Sequence, residues 1–215
     1  RKDAPSGVAL IMVDSAGQNS ISVALGANNS LSTEDIRGVL EQVEKDDIVL
    51  LQLEVPMATI DAAVDIAAAK GARVVLNPAP AAMVSEQTLS KLYLITPNQT
   101  EAQTLTGIEV KDEATASLAA QVLCSRGVGR VVITMGSLGA YLYEEGRGEK
   151  IEARKVAAVD TTAAGDVYNG ALCAALAEGK SLREALTFAT KASAISVTRV
   201  GAQPSVPTRE EVDNF

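Results

Sequence analysis

Short apolar runs rich in β-branched residues restrict this chain to few folds: DIVLLQL at 47–53, RVVL at 73–76, LYLIT at 92–96 and RVVITM at 130–135. The first of these runs is apolar along its length rather than alternating, as expected for a strand covered on both faces. Between them lie helical stretches at 57–70, 98–106 and 112–126, preceded by one at 32–45 that opens with Ser32 as an N-cap. Strands alternating with helices imply an α/β fold in three layers, a mostly parallel, doubly wound sheet between helices. Further strands are expected at 138–144, after a Gly-Ser turn, and at 150–154. Two Ala-rich helices, 164–178 and 181–198, close the pattern, separated by Gly179-Lys180 with Ser181 as a cap. Ahead of it all, GVALIMVD, SAGQ and NSISVAL read as a hairpin. No internal repeat or linker interrupts the chain.

Composition narrows the chemistry. The 215 residues suit one domain, and 47% hydrophobic with 21% charged residues is ordinary for a globular protein. Aromatics are 3% and Trp is absent, so the core is aliphatic and Ala-rich. A net charge of −8 argues against nucleic-acid binding and against a polybasic membrane patch, but not against a nucleotide site. With no His, acid–base work falls to Asp, Glu, Lys, Tyr or Cys. Cys124 and Cys173, far apart in apolar helical stretches, read as buried structural thiols in a reducing compartment. No apolar stretch is long enough to span a membrane. No G-x-G-x-x-G follows a first strand, which speaks against a dinucleotide-binding enzyme.

Open α/β sheets bind ligands beyond the carboxyl ends of their strands. Polar or small residues follow the expected strands at Glu54, Asn77, Asn98, Gly136 and the stretch Asp160 to Asp166. The last of these is the most specific. In VAAVDTTAAGDVYNG, the β-branched run 156–159 reads as a strand that breaks at Asp160 and resumes as a helix near Ala164. Backbone N–H groups at such a helix start attract phosphate or a developing anion, and small residues allow close approach. A carboxylate on the same turn, Asp166, could take a proton from a nearby hydroxyl. Asp at a helix start is ordinarily an N-cap, and that reading stands beside the catalytic one.

With these residues in view, the chain resembles the ribokinase branch of the phosphofructokinase-B family of carbohydrate kinases. The likeness rests on LLQLEVP, VVLNPAP, LITPNQTEAQTLTG, VVITMGSLGA, AVDTTAAGDVYNGAL and VTRVGAQPSVPTREEV. It implies ATP-dependent phosphorylation of D-ribose at its 5-hydroxyl, with Asp166 as general base and Ala163, Ala164 and Gly165 as anion hole. Asn98 and Glu101 match the family element that organises Mg²⁺ near the ATP phosphates, although an N-cap with its capping box explains the same pair. Thr134, Gly136, Ser137, Leu138 and Gly139 match the nucleotide loop, and Thr190 falls where the adenine is contacted. Asp160, Thr162, Ser196, Arg199, Gly201 and Ser205 match a potassium site, and Glu54 matches a sugar contact. Asn77 carries no expected role beyond fixing the loop after its strand.

The same resemblance implies a segment preceding this one, with an N-x-D and a GGKGAN element that hold the sugar; neither occurs here. The expectation is one kinase domain over 1–215, N-terminally incomplete, with 7–25 forming lid and sheet strands. A homodimer through the lid is implied, in the cytoplasm or in an organelle stroma if a transit peptide precedes the chain. Another sugar or nucleoside as substrate, and a truncated nucleotide-binding protein without turnover, remain open alternatives.

Overall fold

The computed structural model describes residues 4–13 and 19–215. Strands β1 (Val8–Val13) and β2 (Asn19–Ala24) pair antiparallel as a separate two-stranded sheet. The expected SAGQ turn between them lies outside the described residues. Val8, Leu10, Met12 and Val23 of this ribbon are exposed.

The main sheet has six strands in the order β3 (Ile48–Leu51), β4 (Arg73–Leu76), β5 (Leu94–Ile95), β6 (Arg130–Thr134), β7 (Ala140–Glu144) and β8 (Arg147–Ile151). The first four run parallel, and β7 and β8 are added antiparallel. Although the strand sequences are continuously apolar, their side chains sort by the period of two. Val74, Leu76, Ile95, Val131 and Ile133 enter one core with helices α2 (Met57–Ala69), α3 (Glu86–Leu89), α4 (Gln99–Thr106) and α5 (Glu113–Ser125). Val75, Leu94, Val132, Ala140 and Leu142 enter the other, against α6 (Ala164–Ala177) and α7 (Leu182–Ser196). The expected three-layer α/β architecture is therefore present. No described helix is long and apolar enough to cross a membrane.

Several boundaries differ from expectation, each for a local reason. Helix α1 (Thr33–Leu40) has the expected Ser32 cap but stops well before residue 45. Its last turn tightens through Gln42 N–H to Val39 O and Val43 N–H to Leu40 O, and the Asp47 carboxylate then captures the Glu44 N–H at 2.8 Å. An Asp side chain competing for backbone donors ends helices in this way. Helix α3 and the terminal α8 (Arg209–Asp213), too short to show a period, are each started by a side-chain cap, Ser85 or Thr208. The strand expected at 156–159 does not form: these residues carry no ladder, and Val159 is 65% exposed. The two central alanines offer little apolar surface, and the segment instead hooks onto the end of α7, Val159 N–H donating to Val197 O at 2.7 Å. Both cysteines are half-buried rather than buried; burial pushes the Cys173 thiol up to about 11 and raises that of Cys124.

Candidate active site

The strand registers bring the polar strand-end residues to one edge of the sheet. Leu51 pairs with Leu76 and Leu76 with Ile95, so the next positions, Gln52, Asn77 and Thr96, fall in one row across β3, β4 and β5. Facing that row is the start of α6. Ala163 is its N-cap, in the left-handed conformation at φ 60°, and no side chain caps this end. The first amides of an uncapped helix lack intrahelical partners and carry the positive end of the dipole. Ala164 N–H is partly engaged by Thr161 O at 3.2 Å, while Gly165 and Asp166 are exposed.

Asp166 is thus not the cap of its helix. Its Oδ1 accepts a 2.8 Å hydrogen bond from Gln52 Nε2, across the gap between α6 and β3. Gln52, Asn77, Asp166 and Asn169, with Leu50 and Leu51, line a cavity of about 260 Å³. Asp166 also borders a more apolar groove of about 580 Å³ between α6, α7 and the C-terminal segment.

Asn98 and Glu101 lie at the start of α4, where the capping box expected from sequence is present. Asn98 Oδ1 accepts the Glu101 N–H at 2.8 Å, and the Glu101 carboxylate accepts Asn98 N–H and Nδ2, both at 2.7 Å. Glu101 is only 7% exposed. Burial pushes its carboxyl above the usual range; the Asn98 N–H pulls it back, and the charge of Asp166 pushes it up again. The two carboxylates therefore feel one another across the site.

Beside them, Thr134 N–H donates to Pro97 O at 2.9 Å, and Thr134 forms a parallel bridge with Asn98. Gly136, Ser137 and Leu138 make a 3₁₀ turn on the same edge, closed by Met135 N–H to Gly139 O at 2.8 Å. Gly139 has φ 97°, and a Cβ there would sit 2.1 Å from the Ile151 carbonyl, so no other residue fits.

The stretch matched to the cation site is also assembled. Asp160 Oδ1 accepts Thr162 N–H at 2.9 Å and Oδ2 accepts Gly201 N–H at 2.8 Å, bonds that lower its pKa. The loop before α6 is thereby stapled to the loop after α7. Ser205 is fully buried, its hydroxyl donating to Ala202 O at 2.7 Å, and Ser196 Oγ donates to Ser193 O at 2.9 Å. Other expected residues are not brought to the centre. The Arg199 side chain pairs with Glu211 at 2.6 Å, and Thr190 Oγ1 donates to Leu186 O at 2.8 Å within its own helix. Glu54 is exposed and makes no hydrogen bond among the described residues. Gln52, which sequence reading passed over in favour of Glu54, is the residue that touches Asp166; its one sequence signal is its place directly after an apolar strand.

A carboxylate on the first turn of an uncapped helix, at the carboxyl edge of a parallel sheet, sets a proton acceptor beside backbone amides that attract anions, an arrangement compatible with phosphoryl transfer to an alcohol. Comparison with known proteins agrees. Residues 1–209 match the pfkB family carbohydrate kinase model. The chain is 46% identical over 210 residues to the ribokinase of Haemophilus influenzae, covering 98% of this chain and 69% of that one. It superposes on the ribokinase of Thermotoga maritima with a TM-score of 0.86 at 40% identity, covering 98% and 69% of the two chains. Ribokinase of Arabidopsis thaliana, solved with ribose and ATP, gives 0.87 at 32% identity, covering 99% and 69%. The chain belongs to the pfkB family of carbohydrate kinases, and it is similar there to ribokinases.

Proposed function

We propose that this chain moves the γ-phosphoryl group of ATP to the 5-hydroxyl of ribose. Asp166 accepts the hydroxyl proton, the hydroxyl oxygen attacks the γ-phosphorus in line, and ADP leaves. The amides of the 163–165 turn stabilise the charge on the transferring group. The loop 134–139 lies along the nucleotide, with Thr190 toward the adenine. The observation that carries this reading is the Asp166 carboxylate, fixed by Gln52 beside an uncapped helix end. The similarity to the Arabidopsis enzyme crystallised with ribose and ATP supports the choice of substrates.

The residues present also suit two cations. The Glu101 carboxylate, held at the start of α4 by Asn98, suits Mg²⁺ shared with the nucleotide phosphates, since that ion is commonly held by one or two carboxylates plus phosphate. The stapled loops offer an all-oxygen set, the Asp160 carboxylate and neighbouring carbonyls, that suits potassium. Bound there, Mg²⁺ would neutralise phosphate charge and potassium would add positive potential beside the helix end.

The test is ADP formation by the purified chain with and without ribose, in potassium and Mg²⁺, beside Asp166→Asn. Ribose-dependent turnover that falls at least about 100-fold in the variant is expected, in the range of general-base effects. No turnover by folded protein, or equal turnover by the variant, sinks the reading.

A further inference from the structure

Beneath the site runs a chain of hydrogen bonds that the phosphoryl-transfer reading does not use. Gln52 Nε2, besides holding Asp166 Oδ1 at 2.8 Å, reaches Asn77 Oδ1 at 3.3 Å. Asn77 Nδ2 donates to Thr96 O at 3.1 Å. Thr96 Oγ1 donates to Asn169 Oδ1 at 2.6 Å, and Asn169 Nδ2 donates to Gly165 O at 2.9 Å. The path starts on the side chain of Asp166 and ends on the backbone of the preceding residue. It closes a loop around the first turn of α6.

The direction of every bond is forced. A carboxylate accepts only, so Gln52 must present its amide nitrogen to Asp166. Asn77 and Asn169 each face a backbone carbonyl and must donate to it, which turns their oxygens toward Gln52 and Thr96. The Thr96 hydroxyl is then the sole donor left for Asn169. No alternative arrangement of the amides satisfies the same contacts.

Asn77, Thr96 and Asn169 are 7%, 1% and 3% exposed. Burying such groups is costly unless they are satisfied, and apolar residues of the same shape would serve packing as well. Their polarity is explained by what the two ends hold. The sheet supplies the rigid side: Gln52, Asn77 and Thr96 occupy one row on three paired strands. The helix supplies the side that must be aimed.

We infer that Gln52, Asn77, Thr96 and Asn169 are positioning residues that lock the Asp166 carboxylate and the helix-start amides into one fixed geometry. This rests on the kinase reading of Asp166, but it concerns residues to which that reading gives no substrate contact. Thr96 is the cleanest place to cut. Its side chain bonds neither Asp166 nor the 163–165 turn directly, and Thr96→Val keeps its shape while removing the one hydroxyl in the path.

Steady-state kinetics should compare wild type with Thr96→Val, Thr96→Ser, Gln52→Leu and Gln52→Leu/Thr96→Val, with Asp166→Asn as reference. Misplacing a catalytic group by a fraction of its contact distance costs about ten- to a hundredfold, so Thr96→Val should lose at least about tenfold in kcat with both KM values within about threefold. Thr96→Ser should recover kcat to within about threefold, and the double variant should lose less than the product of its single effects, as members of one unit do. Unchanged kcat in folded Thr96→Val overturns the inference. So does a Thr96→Ser variant as impaired as Thr96→Val, which marks packing rather than the hydroxyl. If wild type shows no turnover, the kinase reading fails by itself and hydrogen exchange decides the network. The amides of Val167, Tyr168 and Asn169 should then exchange at least about tenfold faster in Thr96→Val than in Thr96→Ser, as expected when a restraint on local opening is lost. Equal exchange rates overturn the inference.

Discussion

Ala163→Gly tests whether the start of α6 is held under strain. Ala163 sits at φ 60°, ψ 12°, a left-handed conformation that an L-residue with a Cβ enters at a cost of about 1–2 kcal/mol. Glycine removes that cost but gives the unfolded chain more freedom, worth about 0.4–1 kcal/mol against folding. The half-buried methyl group adds little on either side. The balance is a gain of about 0.5–1 kcal/mol, or a rise in Tm of about 1–4 °C for a chain of this size. Thermal unfolding of both proteins followed by circular dichroism measures it directly. Because glycine can keep the same backbone angles, turnover should stay within about threefold of wild type. Ala163→Val supplies the opposite arm: a β-branched residue is a poor fit for this conformation, so Tm and turnover should both drop. A Tm lowered by more than about 2 °C in Ala163→Gly would refute the reasoning, since the methyl contacts would then outweigh the strain they were set against.

Two further outcomes follow from single positions. Gly139→Ala should destabilise the protein by about 3 kcal/mol or more, because its Cβ would lie 2.1 Å from the Ile151 carbonyl at a φ of 97°; denaturant unfolding reads this, and a loss below about 1 kcal/mol contradicts it. The Arg199 side chain, and then the Thr208 N–H, hold the Glu211 carboxyl down to about 2 from the usual 4.5, so this group stabilises the fold above pH 4.5 and loses its contribution as the pH falls toward 2. Wild type should be more stable than Glu211→Gln at pH 6, and the gap in Tm should close on acidification; a gap that is constant with pH rules out the ion pair as its origin.

Much of the layer architecture is legible in the chain because burial on both faces leaves a direct mark: continuous apolar runs such as RVVL cannot be surface strands. The lengths of the elements are less legible. β5 is reduced to Leu94–Ile95, although LYLIT reads as a longer strand, because only these two residues pair with β4 and only Ile95 also pairs with β6. The run 156–159 has strand-like composition but no partner among the described residues, and propensity without a neighbour makes no strand. At the site, Asn98 and Glu101 were readable since a capping box has fixed spacing. The union of Gln52, Asn77 and Thr96 was not. They are separated by 25 and 19 residues, and only the register Leu51–Leu76–Ile95 shows that they form a row. The left-handed Ala163 was equally hidden, since alanine seldom marks such a conformation.

The electrostatics of this edge bear on what the proposed reaction demands. Glu101 is buried, its carboxyl raised first by desolvation and again by the charge of Asp166. The chain as a whole carries −8. A nucleoside triphosphate approaching these two carboxylates brings still more negative charge, and the amides of one helix start supply only about half a unit of positive charge against it. Among the described residues no group of three or more His, Cys, Asp or Glu side chains could hold a metal ion by itself. In the proposed kinase a cation arriving with the nucleotide phosphates would offset this repulsion, so the proposed site would reach its working electrostatic balance with substrate and cation present together.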